Sequence, residues 1–434
     1  MIPEVRALPC GESGRLGRTG RSLYPEFVPL LNKLATAIPG APDGASATAS
    51  LSRLRIALTV FFALDGFLFA GWVVRIPAIK QQTGSSTSDL GLALLGVSAG
   101  AVVTMTLTGR LCRRFGSHPV TVASAVLLSL SMALPPLTHS ASALGLVLLV
   151  FGAAYGGINV AMNSAAVDLV GALRRPVMPS FHAAFSLGGM LGAGLGGLVA
   201  GGLSPTAHLL ALTGIGLLVT TVAGPVLLRH HVPAARTGDA PAAPRRLEGR
   251  ARRLVLLFGV IALCTAYGEG AMADWSALHL EQDLHAHPGL AAAGYSLFAL
   301  TMTAGRLSGT VLLERLGQTR TLVLGGATAA AGMLLGALAP SVWAALAGFA
   351  VAGLGLANIF PVAVGRAGEL AGPGGVAAAS TLGYGGMLLG PPAIGFLAEW
   401  FSLPVALTTV AALAAGAAVI AYGARGAAAP RTAE

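Results

Sequence analysis

The run from Arg229 to Arg253, RHHVPAARTGDAPAAPRRLEGRARR, is the longest polar interruption between two long and similar blocks of apolar sequence, and its reading decides the fold. Arg229, Arg236, Arg245, Arg246, Arg250, Arg252 and Arg253 stand in it against only Asp239 and Glu248. Basic excess beside apolar spans marks the cytoplasmic side of a membrane protein. The interspersed prolines and alanines make the run a solvated linker rather than a domain. A basic patch for nucleic acid or lipid is the competing reading, but membrane topology already accounts for arginines placed here. The run therefore reads as the hinge of a two-halved membrane protein.

Composition points the same way. With 54% hydrophobic and 10% charged residues and a mean hydropathy of +0.75, the chain has too little polar side chain to cover a water-soluble globule of 434 residues. A net charge of +10 would suggest nucleic acid in a soluble protein. Here the arginines sit between apolar segments and set orientation, so the expected surroundings are a lipid bilayer and no nucleic acid. Cys10, Cys112 and Cys264 fall in a tail, a turn and a span, which leaves no plausible disulfide framework. Neither Lys33 nor Lys80 sits in a P-loop, so no ATP-driven mechanism, cofactor or metal is expected.

Outward from the hinge, residues 54–228 form one six-span bundle and 254–424 a second, giving an all-α membrane protein of twelve transmembrane helices. The apolar segments lie near 54–75, 90–109, 120–137, 142–164, 180–202, 207–228, 254–275, 291–312, 321–339, 341–362, 378–399 and 403–424. Each approaches the roughly 20 residues that a helix needs to cross a hydrocarbon core of about 30 Å. None alternates as barrel strands would. Residues 1–53 read as a disordered cytoplasmic tail, because their apolar patch is broken by Asn32 and Lys33 and makes no signal-peptide core, and 425–434 as a short cytoplasmic tail. On the hinge side the loops carry Arg110, Arg113, Arg114, Arg174, Arg175, Arg306, Arg315, Arg320 and Arg366, against Arg75 and Lys80 opposite. Both termini are thus expected in the cytoplasm of a multi-pass inner-membrane protein. His279, His285 and His287 in the outer loop HLEQDLHAH have no regular metal-ligand spacing.

Motifs recur across the hinge in the same order, which is the mark of an internal repeat. Asp65-Gly66 matches Glu269-Gly270, Asn159 matches Asn358, Arg114-Phe115-Gly116 matches Arg315-Leu316-Gly317, and Gly188 to Leu191 matches Gly385 to Leu388, at offsets of 204, 199, 201 and 197. Two parallel six-helix halves related by an axis along the membrane normal are the expected arrangement.

These residues carry a family resemblance. GRLCRRFG (109–116) resembles the Gly-x-Leu-x-Asp-Arg-x-Gly loop of major facilitator transporters, and LLERLG (312–317) its degenerate second copy. Gly109, Arg113, Arg114, Gly116, Glu314, Arg315 and Gly317 are accordingly the implied gating-loop residues. Arg113 stands where the family has Asp, whereas Glu314 keeps the acid in the second copy. DGFLFAGWVVRIPAI (65–79), FHAAFSLGG (181–189) and EGAMADWSALHL (269–280) resemble the sugar-permease-related branch that includes rhizopine-transport-like proteins.

Asp65 lies about ten residues into its span, near the midplane, where an ionisable group costs several kcal/mol unless paired or protonated. It is the first proton-coupling candidate, and Glu269 the second, weighed against a carboxylate held permanently by a neighbour. Asn159, Asn163 and Asn358 offer donors and acceptors without charge, which suits hydroxyl-rich solutes; interhelical hydrogen bonding is the alternative. Tyr155, Trp72, Trp275 and Tyr384 could stack on a sugar-like ring, although Trp72 and Trp275 also lie where an aromatic belt would place them. Asp274 and Arg75 read as interfacial anchors, and His182 as a packed histidine rather than a relay. The glycine ladder Gly188, Gly192, Gly196 allows close helix approach. It also resembles a drug-antiporter pattern, with Ala193 in place of proline; the second copy, through Gly390-Pro391, keeps the proline.

The reading is a monomeric secondary transporter that moves a small polar, sugar- or cyclitol-like molecule by alternating access with protons. A proton-coupled drug or metabolite efflux antiporter is the alternative. A membrane-embedded enzyme is disfavoured by the scatter of the intramembrane polar residues, and a transporter-like sensor by the lack of an output domain.

Overall fold

The computed structural model describes residues 44–85, 87–200, 202–230, 249–291 and 293–425. The tail up to residue 43, with Cys10, the linker interior 231–248 and the C-terminal tail from 426 lie outside the described residues. Among the described residues there is helix and no strand. In chain order the helices are α1 (Gly44–Val73), α2 (Ile76–Thr83), α3 (Thr87–Phe115), α4 (Ser117–Ser131), α5 (Ala141–Leu173), α6 (Met178–Val199) and α7 (Pro205–Arg229). After the linker come α8 (Gly249–Gln282), α9 (Pro288–Ala291), α10 (Ala293–Ala337), α11 (Val342–Leu356), α12 (Ile359–Trp400) and α13 (Leu403–Gly423).

Twelve spans follow once two breaks are counted. Gly317 (φ 75°, ψ 168°) divides α10 into the eighth and ninth spans, and Ala371 with Gly372 (φ 56°, ψ −146°) separates the tenth from the eleventh within α12. Gly317 has the conformation of Gly116 (φ 88°, ψ 151°), the last residue of the first loop motif. A positive φ of this kind is open to glycine at little cost, so the two motif copies turn the chain by the same local device.

Side-chain caps repeat as well. Ser140 and Ser341 accept the backbone N–H of Ala143 (3.3 Å) and Ala344 (3.4 Å), opening the fourth and tenth spans. Ser204 and Ser402 do the same for Ala207 (3.2 Å) and Val405 (3.4 Å), opening the sixth and twelfth. Each cap satisfies one N–H that a helix start leaves without an intrahelical partner. Large apolar side chains on the spans stay exposed, Leu198 at 82% and Leu146 at 71% among them, because their solvent is lipid.

Within each half the first span packs on the fifth and the second on the fourth. Gly188 and Gly192 lie against the carbonyls of Ala63 and Phe67, while Gly386 and Gly390 lie against those of Leu263 and Tyr267. These contacts fix the repeat's true register. The first and seventh spans are 200 residues apart and the fifth and eleventh 198 apart, so the matched strings Asp65-Gly66/Glu269-Gly270 and Gly188–Leu191/Gly385–Leu388 are out of step by four residues and one residue. Asp65 is structurally opposite Thr265, and Glu269 opposite Phe69. In the fourth and tenth spans, Gly152 on the Val97 carbonyl matches Gly353 on that of Phe298, 201 residues on in both spans. Asn159 thus corresponds to Phe360 rather than Asn358. Short strings recur by composition in glycine- and alanine-rich helices, whereas a backbone contact admits one register.

The two halves meet at the end that carries the linker. Arg175 pairs with Glu314 across them at 2.8 Å, Gly109 lies against Pro373 and Ala377, Gly309 against Pro179, and Gly368 against Val167. Arg306 is not a loop residue, as its neighbours Arg315 and Arg320 are: it is buried inside the eighth span. Arg75 is also buried, where it donates to His208 Nδ1 (2.7 Å) and to the Ala200 and Val199 carbonyls that end α6. It satisfies a helix terminus rather than anchoring at an interface.

A methyl group on Gly188 or Gly386 would overlap a backbone carbonyl, while one on Gly189 would meet only the Gly66 carbonyl at 3.7 Å and one on Gly385 would enter open space. Gly188→Ala and Gly386→Ala are expected to lose about 1–3 kcal/mol through overpacking, lowering the melting midpoint in detergent by several degrees. Gly189→Ala and Gly385→Ala should melt like the parent, and equal midpoints for all four would disprove this register.

Candidate functional site

A cavity of about 450 Å³ lies between the halves. Its walls come from equivalent positions of the two bundles: His182, Phe185, Ser186 and Gly189 on α6, and Ser380, Gly383, Tyr384 and Met387 on α12, each 198 residues on. Gly66 and Phe69 on α1 are matched in the same way by Ala266 and Glu269 on α8. It reaches from Asn159 and Met162 at its closed end to Val73, Val74 and Tyr295 at the end away from the linker. Such a volume and a mainly apolar, aromatic lining with a few convergent polar groups are the features of a small-molecule site.

Its charge is concentrated on Arg306. The guanidinium donates from Nη2 to Glu269 Oε1 (3.0 Å), from Nη1 to Ser186 Oγ (2.6 Å) and from Nε to the Ala357 carbonyl (3.3 Å). One arginine on the eighth span thereby joins the seventh span, the fifth span of the other half and the junction of α11 with α12. Side-chain exposure is 7% for Arg306 and 30% for Glu269, so the carboxylate, not the guanidinium, offers an accessible face to the cavity. The positions equivalent to this pair in the first half are Met105 and Phe69, both in the cavity wall and both apolar. The cavity wall thus carries a charged pair on one side only. Sequence reasoning counted Arg306 with the loops; the signal that could have found it is an arginine set well inside the apolar run SLFALTMTAGRLSGTVLL (296–313).

Asp65 is fully buried on α1, and neither carboxyl oxygen has a hydrogen-bond partner among the described residues. It does not line the cavity itself, but the next residue, Gly66, does, as do Tyr155 and Tyr384. Those two rings face each other across the halves with centroids 6.2 Å apart. Asn159 lines the cavity with its Oδ1 buried and unpartnered, as is the Ser380 hydroxyl.

Other candidates fall outside the cavity. Asn163 donates from Nδ2 to the Asn159 carbonyl (2.8 Å), and its Oδ1 accepts from His182 Nε2 (3.2 Å), so it holds the fourth span to the fifth. His182 is thereby fixed, with the rings of Phe62 and Phe360 packed on it in edge contact. Asn358 donates to the Gly305 carbonyl (3.0 Å) and packs against Gly309. Trp72 is 2% exposed against Phe151, a core position rather than a belt. Trp275 packs into the second bundle beside Gly395. Asp274 is exposed, whereas His279 is buried, contacting Asp283 (2.8 Å) and the Gly336 carbonyl (3.2 Å). In the loop motifs, Arg113 lies over Gly374 of the other half.

Comparison with known proteins agrees with this geometry. The family model for the Major Facilitator Superfamily matches residues 56–308 and 257–433. An uncharacterized MFS-type transporter of Yersinia pestis is 35% identical over 363 residues, 83% of this chain and 92% of that protein. Membrane protein MosC of Rhizobium meliloti is 31% identical over 377 residues, 86% of this chain and 90% of its own length. The crystal structure of FucP in its outward conformation superposes with a TM-score of 0.71 at 16% identity, over 85% of this chain and 97% of that one; a second FucP structure, described as the E. coli fucose:proton symporter, gives 0.67. With twelve spans in two repeated bundles around one central cavity, the chain is a multi-pass membrane protein that belongs to the major facilitator superfamily of secondary transporters.

Proposed function

We propose that this protein moves a small polar, sugar- or cyclitol-like solute across the cytoplasmic membrane by alternating access, coupled to protons, and that Asp65 carries the proton. The observation behind the coupling is a fully buried carboxyl without a partner, one residue from the cavity wall. A carboxylate in that setting costs several kcal/mol, so Asp65 holds a proton in this state and releases it when the halves rock and water reaches it from the other side. Glu269 has the Arg306 guanidinium at 3.0 Å as a charge-assisted partner, which suits a substrate contact better than a proton carrier.

Support for a hydroxyl-rich solute lies in the unpaired acceptor of Asn159, the unpaired hydroxyl of Ser380 and the faces of Tyr155 and Tyr384 around one cavity. A solute bearing hydroxyls satisfies the first two and packs against the aromatic wall that Tyr384 and the Phe69-stacked Tyr155 form. With Arg110, Arg113, Arg114, Arg174, Arg175, Arg315, Arg320 and Arg366 at the linker end, that end faces the cytoplasm. The cavity then opens outward, and both termini are cytoplasmic.

Three measurements test these assignments. In proteoliposomes screened with sugars and cyclitols under an imposed pH gradient, Asp65→Asn should exchange substrate across the membrane yet fail to concentrate it, since exchange needs binding and rocking whereas accumulation needs a group that changes charge. Uphill transport by the Asn variant would move the coupling role elsewhere. Asn159→Ala should weaken substrate affinity about tenfold, near 1.4 kcal/mol for a hydrogen bond within a site, at an unchanged melting midpoint. Asn358→Ala should instead lower the midpoint and leave affinity alone. Finally, a cysteine at Gln282 should react with a membrane-impermeant maleimide in intact cells and one at Thr237 should not; the reverse pattern would invert the topology.

A further inference from the structure

Outside the transport path, the outer surface of the first bundle carries a second hollow. A groove of about 500 Å³ runs between α1 and α7 in the half of the bundle nearest the linker. Its floor is made by Ala57 and Ala223, at 3% and 8% exposure, where side chains end at Cβ. Ile56, Leu218 and Val222 form walls exposed by 65%, 64% and 69%. Toward the opposite end the same two helices close, with Leu212 packed directly on Gly71. The hollow is therefore a local product of small residues, not a general looseness of the pair.

The groove is apolar except at one end. Arg53 lies in its lining one turn before Ile56 on α1, and Arg229 follows the lining residue Val226 by three residues on α7, at the end where α7 finishes and α1 begins. Both arginines are exposed, and among the described residues neither is in an ion pair. Two arginines at the linker end of a lipid-facing apolar channel, Arg53 in its lining and Arg229 a turn beyond it, match one kind of occupant: an acyl chain continuous with a phosphodiester. We infer that this groove is a binding site for an anionic phospholipid, one acyl chain lying along Ala57 and Ala223 and the phosphate held by Arg53 and Arg229. Guanidinium forks suit phosphate oxygens, and basic pockets between spans at the membrane surface select anionic headgroups. A zwitterionic lipid would present its own cation to the same arginines and gain less. Occupancy would tie the start of the first span, which carries Asp65 further along, to the last span of the same half, without touching the transport cavity.

The test uses the full-length purified protein in detergent micelles doped with either phosphatidylglycerol or phosphatidylcholine. Phosphatidylglycerol near a hundredfold over its dissociation constant should raise the melting midpoint by about 5 °C, and phosphatidylcholine by much less. Arg53→Gln/Arg229→Gln should abolish the difference, as should Ala223→Phe, which fills the floor. Arg252→Gln/Arg253→Gln, which removes the same charge from the exposed start of α8, should preserve it. Equal shifts with the two lipids, or a phosphatidylglycerol shift that survives loss of Arg53 and Arg229, would overturn the site. So would its loss in the Arg252/Arg253 control, which would make the effect one of diffuse charge. If Ala223→Phe does not fold, the surface arginine variants still decide the matter.

Discussion

The contact of a glycine with a facing carbonyl is the constraint on which the rest of this structure depends. Gly188 and Gly192 against Ala63 and Phe67, and Gly386 and Gly390 against Leu263 and Tyr267, bring the first span onto the fifth and the seventh onto the eleventh. Lipid supplies no hydrophobic drive between helices, so close packing has to supply the attraction. Because each glycine accepts one partner along the helix axis, it also fixes rotation and height. That register decides which residues reach the cavity: a shift of a single residue would turn a span by about 100° and carry Ser186 or Tyr384 out of the wall.

On that frame the two halves are alike in shape and unlike in charge. Arg306 binds three elements and leaves its carboxylate partner Glu269 at the cavity surface, while the equivalent residues of the first half, Met105 and Phe69, are apolar. Removing Glu269 would leave the buried Arg306 guanidinium without its carboxylate, so the two act as a unit. Asp65 is the opposite case, a carboxyl with no partner among the described residues. A group satisfied in every direction is a poor switch, and one with no partner has two protonation states that different surroundings can favour in turn.

The closed end is held by weak means. The Arg175–Glu314 pair, with side chains 57% and 36% exposed, contributes about 0–1 kcal/mol. Small residues, Gly109, Gly309 and Gly368, make further cross-half contacts there. An end that must part once in each transport cycle is suited by many shallow contacts and poorly served by one deep interlock. The acid missing from the first loop motif is made up for in part by the second copy, whose Glu314 reaches the other half, while Arg113 lies over the Gly374 backbone.

Twelve apolar spans and the family were legible in the sequence, because hydrophobic length and loop motifs are local properties that a bilayer enforces span by span. The place of Asp65 inside the first span was legible for the same reason, by counting residues from a span end. Rotation about each helix axis was not. Asn159 and Asn358 look like mates in the sequence, yet one faces the cavity and the other the Gly305 carbonyl, since two residues of register turn a helix by about 200°. Trp72 and Arg75 lie at a span end in sequence and inside the protein in space. Arg306 was hidden by its type, because arginine reads as a loop residue until a carboxylate inside the bundle is found to meet it. Depth is written in the count of residues along one helix; facing is decided only when a second helix packs against it.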